Sequence, residues 1–120
     1  MACRVLLVDD NSDFRKVARR LLERHEFVVV AEADTGIGGI ERAQEHRPDL
    51  VLLDVQLPDV DGFEVAERLS RLEASVAVIL TSSLDDSDFG ALVARSSALG
   101  FVPKGELSAS ALRALLDGER

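Results

Sequence analysis

Five polar side chains of this sequence are of the types that coordinate a cation or bind a phosphoryl group. Asp9 and Asp10 are adjacent and follow the apolar run at 5–8, and Asp54 follows the apolar run at 50–53. Thr81 comes directly after the run at 76–80, and Lys104 lies just past a short apolar run around 101–102. Carboxylates ligate hard cations or act as nucleophiles, whereas a hydroxyl and an ammonium bind anionic oxygen. Apart from the adjacent pair Asp9 and Asp10, these residues are far apart along the chain, so their joint chemistry depends on the fold.

The three aspartates would repel one another if the fold brought them together. Each uncompensated contact would cost about 1 kcal/mol or more. Mg²⁺ is the natural counter-ion, because it takes oxygen ligands and is commonly held by one or two carboxylates together with a phosphate oxygen. The alternative is that Asp9-Asp10-Asn11 only caps a helix. Capping would explain one acidic residue but not two beside a third, so we favour a metal site.

Asp54 has two open roles at such a site. It could be a third metal ligand, or it could attack phosphorus and form an aspartyl phosphate while the metal shields its charge. A metal site needs neither a hydroxyl nor an ammonium, whereas a phosphoryl group on Asp54 would use Thr81 as a hydrogen-bond donor and Lys104 as a counter-charge. The joint presence of all three favours the nucleophile.

Two hydrophobic periodicities alternate along the chain and predict the elements that position these residues. Short apolar runs suited to buried strands lie at 5–8, 27–31, 50–53, 76–80 and around 101–102. A helix is expected after each strand, and the second one ends before Pro48. The apolar stripes are Phe14, Val17, Ala18, Leu21 and Leu22 in the first helix, Phe63, Val65, Ala66, Leu69 and Leu72 in the third, Phe89, Leu92 and Val93 in the fourth, and Ala111, Leu112, Leu115 and Leu116 in the last. The expected N-caps are Asn11 or Ser12, Asp61 and Ser108.

Five strand–helix repeats predict an α/β fold with a parallel sheet and helices on both faces, because right-handed crossovers place each helix against the sheet. Periodicity alone leaves the order of the strands open. All strands would point the same way, so the polar residues that follow them would gather at one edge, where open α/β sheets bind ligands.

Composition limits the classes of function. With 14 basic and 22 acidic residues among 120, the net charge is -8, which opposes binding to a phosphate backbone. The basic residues of the first helix are interpreted as a solvated helix face, and they are Arg15, Lys16, Arg19, Arg20 and Arg24. We therefore expect no direct contact with nucleic acid. No apolar run is long enough to span a membrane.

The chain is expected to form one domain over residues 1–120, without an output domain. A single cysteine, Cys3, lies in the first apolar run and is predicted to be a buried, unreactive thiol. Such cysteine usage, without a signal peptide, fits a reducing cytoplasm.

Four segments in order resemble the receiver domain of bacterial two-component response regulators. They are "LLVDD", "LVLLDVQLPDVDGFEV", "VAVILTSS" and "GFVPKGEL", and the resemblance extends over essentially the whole chain. It implies a flavodoxin-like (βα)5 fold, a doubly wound sandwich with strand order 2-1-3-4-5, which is the known order of that class.

The resemblance also implies roles for particular residues. Asp54 would accept a phosphoryl group from a phosphohistidine of a sensor histidine kinase. Mg²⁺ would be bound by Asp10, by Asp54 and by the backbone carbonyl of Gln56, with Asp9 acting directly or through water. Such a protein is a phosphoacceptor that loses its phosphate slowly, not an enzyme acting on a separate substrate.

Receivers of this kind work as switches. The resemblance implies that Thr81 turns toward the phosphoryl oxygens while the ring of Phe101 moves inward. The surface of helix four, strand five and helix five would then act on an output domain or a partner protein, and a homodimer on phosphorylation is one form this could take.

Three features depart from the common receiver pattern or qualify it. Gly105 follows Lys104 where many receivers have proline, so the lysine is expected to be less restrained. Phe101 lacks the hydroxyl of a tyrosine. The segment "GFVPKGELSASALRALL" is similar to receivers that precede a LuxR-type helix-turn-helix domain.

Two other functions are weighed against the switch. Small Mg²⁺-dependent phosphohydrolases of the haloacid dehalogenase type carry D-x-D after the first strand, whereas here the two aspartates are adjacent. A phosphate-independent interaction module of receiver fold commonly lacks one of the acidic, threonine or lysine residues, and this chain has them all. Both alternatives are therefore disfavoured.

Overall fold

The computed structural model describes residues 2–72, 76–83 and 90–118, and its elements alternate as the sequence predicts. The strands are β1 (Cys3–Val8), β2 (Phe27–Ala33), β3 (Leu50–Asp54), β4 (Ala77–Ser82) and β5 (Gly100–Pro103). The helices are α1 (Ser12–Glu23), α2 (Gly36–His46), α3 (Gly62–Ser70), α4 (Gly90–Arg95) and α5 (Ala109–Gly118), with a short 3-10 helix at Lys104–Glu106.

The sheet is parallel throughout and has the order β2-β1-β3-β4-β5, which confirms the order implied by the resemblance. One face packs against α1 and α5, through a cluster that includes Ala18, Leu22 and Leu112. The other face packs against α2 and α3, through a cluster that includes Ala43 and Val65. Because β1 and β3 lie between other strands with helices on both faces, their carboxyl ends emerge from the most buried part of the sheet.

Side-chain caps fix where the helices begin. Asn11 is the N-cap of α1, and its Oδ1 accepts a hydrogen bond from the N–H of Phe14 at 3.1 Å. Asp61 caps α3, and the Ser108 hydroxyl accepts from the N–H of Ala111 at 3.0 Å. These caps confirm the predicted starts of the helices that follow β1, β3 and β5.

Some boundaries and exposures differ from the predictions. Strand β2 continues to Ala33, and β4 includes one residue beyond Thr81. Val17 was assigned to the apolar stripe of α1 but is 59% exposed, so the buried stripe is narrower than predicted. The stripe residue Phe89 lies outside the described residues.

The basic face of α1 is also less solvated than predicted. The side chain of Arg15 is only 18% exposed, because its guanidinium pairs with Glu32 on β2. Arg19 pairs with the same carboxylate at 2.8 Å. The interpretation of a solvated face is therefore wrong for Arg15, whereas the side chain of Arg19 is still 40% exposed.

Cys3 is half-buried at the start of β1. Burial, together with the charge of Asp49, raises the pKa of its thiol, so the thiolate is disfavoured at neutral pH. In the described part of the chain, no helix combines the length and the apolar character needed to cross a membrane.

Candidate functional site

The register of the sheet places the predicted site residues at one edge. Val8 and Leu53 are the last residues of β1 and β3 that pair with each other. The residues that follow them, Asp9 and Asp54, therefore lie side by side. Asp54 in turn pairs with Thr81 on β4. These neighbours were expected to meet because the carboxyl ends of parallel strands share an edge, and the structure brings them together.

The three aspartates form one acidic cluster. Each of Asp9, Asp10 and Asp54 offers a carboxylate oxygen, and these atoms lie within 4.8 Å of one another. Asp9 and Asp54 are only 2% and 4% exposed, whereas Asp10 is exposed. The cluster is therefore open to solvent on the side of Asp10 and closed by the sheet on the other side.

Main-chain N–H groups fix one oxygen of each buried carboxylate. Oδ1 of Asp9 accepts from the N–H of Asn11 at 2.9 Å, and Oδ1 of Asp54 accepts from the N–H of Gln56 at 3.0 Å. The second oxygen of each carboxylate faces a shared cation. Lys104 Nζ lies 2.8 Å from Asp9 Oδ2 and 3.3 Å from Asp54 Oδ2.

Lys104 contacts three side chains among the described residues. Besides the two carboxylates, its ammonium lies 4.6 Å from the centre of the Phe14 ring. Burial alone would lower the pKa of Lys104, but the contacts with Asp9 and Asp54 outweigh it and raise the pKa above its usual value. The ammonium is thus held in place even though Gly105 follows it, and the added mobility expected from that glycine stays a prediction.

The environment of Asp54 disfavours its charged form, whereas that of Lys104 favours its charged form. Burial raises the pKa of its carboxyl group, and the nearby charge of Asp9 raises it further. The N–H of Gln56 and the Lys104 ammonium work in the opposite direction without cancelling the rise. In the metal-free protein, the hydrogen bond from Gln56 and the charge of Lys104 therefore do not fully offset the cost of an ionised Asp54 in this buried, acidic environment.

We expect Asp54→Asn to stabilise the metal-free protein at neutral pH by about 1 kcal/mol, because it removes a charge that the folded state disfavours. The folded pKa of Asp54 is raised, so its favourable contribution is complete below its unfolded pKa and is lost as the pH rises through the folded value. The advantage of the variant should widen from acid to neutral pH in urea unfolding. An advantage that did not change with pH would contradict this assignment of the charge.

Two buried side-chain oxygen atoms, one in the acidic cluster and one on the neighbouring strand, have no hydrogen-bond partner among the described residues. One is the hydroxyl of Thr81, and the other is Oδ2 of Asp9, whose approach to Lys104 has ion-pair distance without hydrogen-bond geometry. Buried polar atoms are rarely left unpaired in folded proteins. Three clustered carboxylates, beside a buried hydroxyl that lacks a hydrogen-bond partner among the described residues, fit a hard cation with a bound anion.

Gln56 and Phe101 are the remaining predicted residues. Gln56 contacts Asp54 through its main-chain N–H. Phe101 pairs with Leu80, the residue before Thr81, and is partly buried against the cluster of apolar residues beneath α2 and α3.

Sequence reasoning missed two contributors to the site, Arg15 and Phe14. Arg15 Nη1 donates to the main-chain carbonyl of Asp9, and Phe14 lies against the Lys104 ammonium. Their only signal in the sequence was their place in the first turn of the helix that follows the two aspartates.

Comparison with known proteins gives a consistent result. The response regulator receiver domain family matches residues 5–117. The chain is 39% identical over 103 residues to the virulence-factor transcription regulator BvgA of Bordetella pertussis, covering 86% of this chain and 49% of that protein. It is 32% identical over 104 residues to the chemotaxis protein CheY of Bacillus subtilis, covering 87% of each.

The structural comparison agrees. The signal receiver domain of the response regulator NarL from Mycobacterium tuberculosis superposes with a TM-score of 0.87 and 32% identity, covering 98% of this chain and 95% of that chain. The chain spans about half the length of the first curated relatives that it matches, which include regulators of transcription.

A doubly wound five-stranded sheet that gathers carboxylates, a lysine and a strand-end threonine at its carboxyl edge defines a CheY-like α/β protein. The chain belongs to the response regulator receiver domain family of two-component systems. The resemblance stated from the sequence motifs is thereby confirmed.

Proposed function

We propose that this chain is a phosphorylation-controlled signalling switch whose phosphoacceptor is Asp54. The observation that carries the proposal is the environment of this carboxylate. It is 4% exposed, it lies beside a cation 3.3 Å away, and the unpaired hydroxyl of Thr81 is its neighbour on the next strand. A nucleophilic carboxylate with a donor and a counter-charge beside it is suited to accept a phosphoryl group.

The transfer takes place by in-line attack. One oxygen of ionised Asp54 attacks phosphorus, and the P–N bond of the donor phosphohistidine breaks. The imidazole leaves with the bonding electron pair and takes a proton from water, so Asp54 becomes an acyl phosphate. Oδ1 of Asp54 already accepts the N–H of Gln56, which leaves Oδ2 as the attacking atom once Lys104 moves from it to the phosphoryl oxygens.

Mg²⁺ fits the acidic cluster, and Asp9, Asp10, Asp54 and the carbonyl of Gln56 would hold it. When bound, the ion neutralises the carboxylates and the incoming phosphoryl oxygens. Asp10 gives the site its solvent-open side, and the main-chain hydrogen bond from Asn11 fixes the orientation of Asp9. With this compensation the Lys104 ammonium is free to pair with the phosphoryl group.

Thr81 and Phe101 would transmit the change. The buried Thr81 hydroxyl has no partner among the described residues, so a phosphoryl oxygen would give it one. Its rotation would vacate space near β4, into which the Phe101 ring moves. The two residues lie on paired strands, since Leu80 and Phe101 are register partners.

A sensor histidine kinase would be the phosphoryl donor, and the reaction would take place in the cytoplasm. The surface formed by α4, β5 and α5 would act on an output domain or a partner protein. The domain would be 1–120 of this chain, without direct contact with nucleic acid, and phosphorylation could produce a homodimer. Its chemistry would be acceptance and slow hydrolysis of its own acyl phosphate, so we do not class it as an enzyme.

Incubation with phosphoramidate, a small P–N phosphoryl donor, tests the proposal. Intact-mass spectrometry should show one added phosphoryl group on the wild type with Mg²⁺, little without it, and none on Asp54→Asn. Asp13→Asn, which changes an aspartate of α1 that lies outside the cluster, is the matched control and should be modified like the wild type. A folded protein that binds Mg²⁺ but gains no phosphoryl group would instead favour the phosphate-independent module.

A further inference from the structure

The main chain of Asp9 is held on both sides. Its N–H donates to the carbonyl of Ala33 at 3.0 Å, at the end of β2. Its carbonyl accepts from Nη1 of Arg15. Asp9 follows the last residue of β1, so these two contacts set where the turn carrying Asp9 and Asp10 leaves the sheet.

Glu32 holds the Arg15 guanidinium. Its Oε1 accepts from Nε of Arg15 at 2.9 Å, and its Oε2 accepts from Nε and Nη2 of Arg19 at 3.0 and 2.8 Å. The two arginines thus share one carboxylate, and in the described part of the chain Arg15 is the one that also donates to Asp9. Charge-assisted hydrogen bonds of this kind fix geometry as well as adding energy.

An irregularity in β2 places Glu32 on the correct face. Val5 pairs with Val29, but Leu6 pairs with Ala31, so Val30 is an extra residue on β2. After this bulge Glu32 pairs with Leu7, whose side chain packs on the face covered by α1. Without the extra residue the alternation of side chains would turn Glu32 to the opposite face, away from Arg15.

We propose that Glu32 and Arg15 are positioning residues that hold the Asp9 main chain so that its carboxylate is in place for Mg²⁺. This inference rests on the Mg²⁺ site of the proposed function. Partners that orient metal ligands commonly change metal affinity by about 10-fold to 100-fold when they are removed.

The sign of the effect separates positioning from simple electrostatics. Removal of a positive charge near a cation site should by itself tighten Mg²⁺ binding. Loss of positioning should weaken it. Arg15 is therefore the informative residue, because the two explanations predict opposite changes for it, whereas they predict the same change for Glu32.

The test compares Arg15→Met with Arg19→Met by calorimetric titration of Mg²⁺. Both variants lose a salt bridge to Glu32, but only the first loses the contact with Asp9. We expect Arg15→Met to raise the Mg²⁺ Kd about tenfold and Arg19→Met to change it less than about twofold. Equal effects of the two variants, or unchanged or tighter binding by Arg15→Met, would overturn the inference.

A metal-free measurement keeps this inference separate from the proposed function. The Asn11 amide donates to Oδ1 of Asp9 at 2.9 Å, so its hydrogen exchange reports on the turn. Exchange should be at least about threefold faster in Arg15→Met and unchanged in Arg19→Met. If the wild type bound no Mg²⁺, the metal site would fail, and this exchange result alone would decide whether Arg15 positions the turn.

Discussion

Lys104→Met should destabilise the metal-free protein by about 3 kcal/mol at neutral pH, because it leaves two buried carboxylates without their cation. Asp9 and Asp54 are 2% and 4% exposed, and among the described residues the Lys104 ammonium is the cation that lies within 3.3 Å of each. Methionine keeps most of the side-chain length, so the charge is the main change. Urea unfolding without Mg²⁺ measures the loss.

The same variant should respond more strongly to Mg²⁺ than the wild type does. In the wild type, Lys104 would compete with Mg²⁺ for the carboxylate oxygens of Asp9 and Asp54, and Lys104→Met would remove that competition. The rise in Tm on addition of Mg²⁺ should therefore be larger in the variant. Lys16→Met, at an exposed position of α1, is the control and should behave like the wild type. A Lys104→Met protein of wild-type stability would show that the ion pairs contribute nothing.

Gly62→Ala should destabilise the protein by about 3 kcal/mol, since overpacking against main chain has no easy relief. Gly62 opens α3, where its N–H donates to the carbonyl of Val55 at 2.8 Å. A Cβ at this position would lie 2.4 Å from the main-chain oxygen of Asp54 and 2.7 Å from Cα of Val55. The helix would have to move away from the strand end that carries Asp54.

Gly105→Ala is the matched control for this substitution. A Cβ on Gly105 would meet no atom of the described residues within 4 Å, and the φ angle of Gly105 is not positive. The change should leave stability within about 0.5 kcal/mol of the wild type, or raise it slightly by restricting the unfolded chain. Thermal unfolding of both variants distinguishes the two cases. Similar losses in both would mean that the close approach at Gly62 is not the cause.

Much of the fold was predictable because its signals are local and repeated. The strands are short apolar runs, the helices carry side-chain caps, and a parallel α/β sheet must place its carboxyl ends together. This reasoning predicted that Asp9, Asp54, Thr81 and Lys104 would meet at one edge. The order of the strands came from the family resemblance, since periodicity carries no information on which strands are neighbours.

The contacts of Arg15 with Glu32 and with the main chain of Asp9 were not predictable, because they depend on one extra residue in β2. Arg15 has the sequence pattern of a solvated basic helix face, and Glu32 that of an ordinary polar strand position. The bulge at Val30 changes which face Glu32 occupies, and a regular two-residue alternation cannot reveal it. Val17 shows the opposite error: Arg15 was predicted to be solvated but is largely buried, whereas Val17 was predicted to be buried from its helical spacing but faces solvent.

The most direct test of the central claim is to locate the phosphoryl group in the chain. After phosphorylation with phosphoramidate and Mg²⁺, borohydride reduces an acyl phosphate to the alcohol, which marks the modified aspartate for peptide mass mapping. We predict that the mark is on Asp54 alone. A mark on Asp9 or Asp10, or a stable phosphoryl group on a residue outside the acidic cluster, would contradict the assignment of Asp54 as the phosphoacceptor.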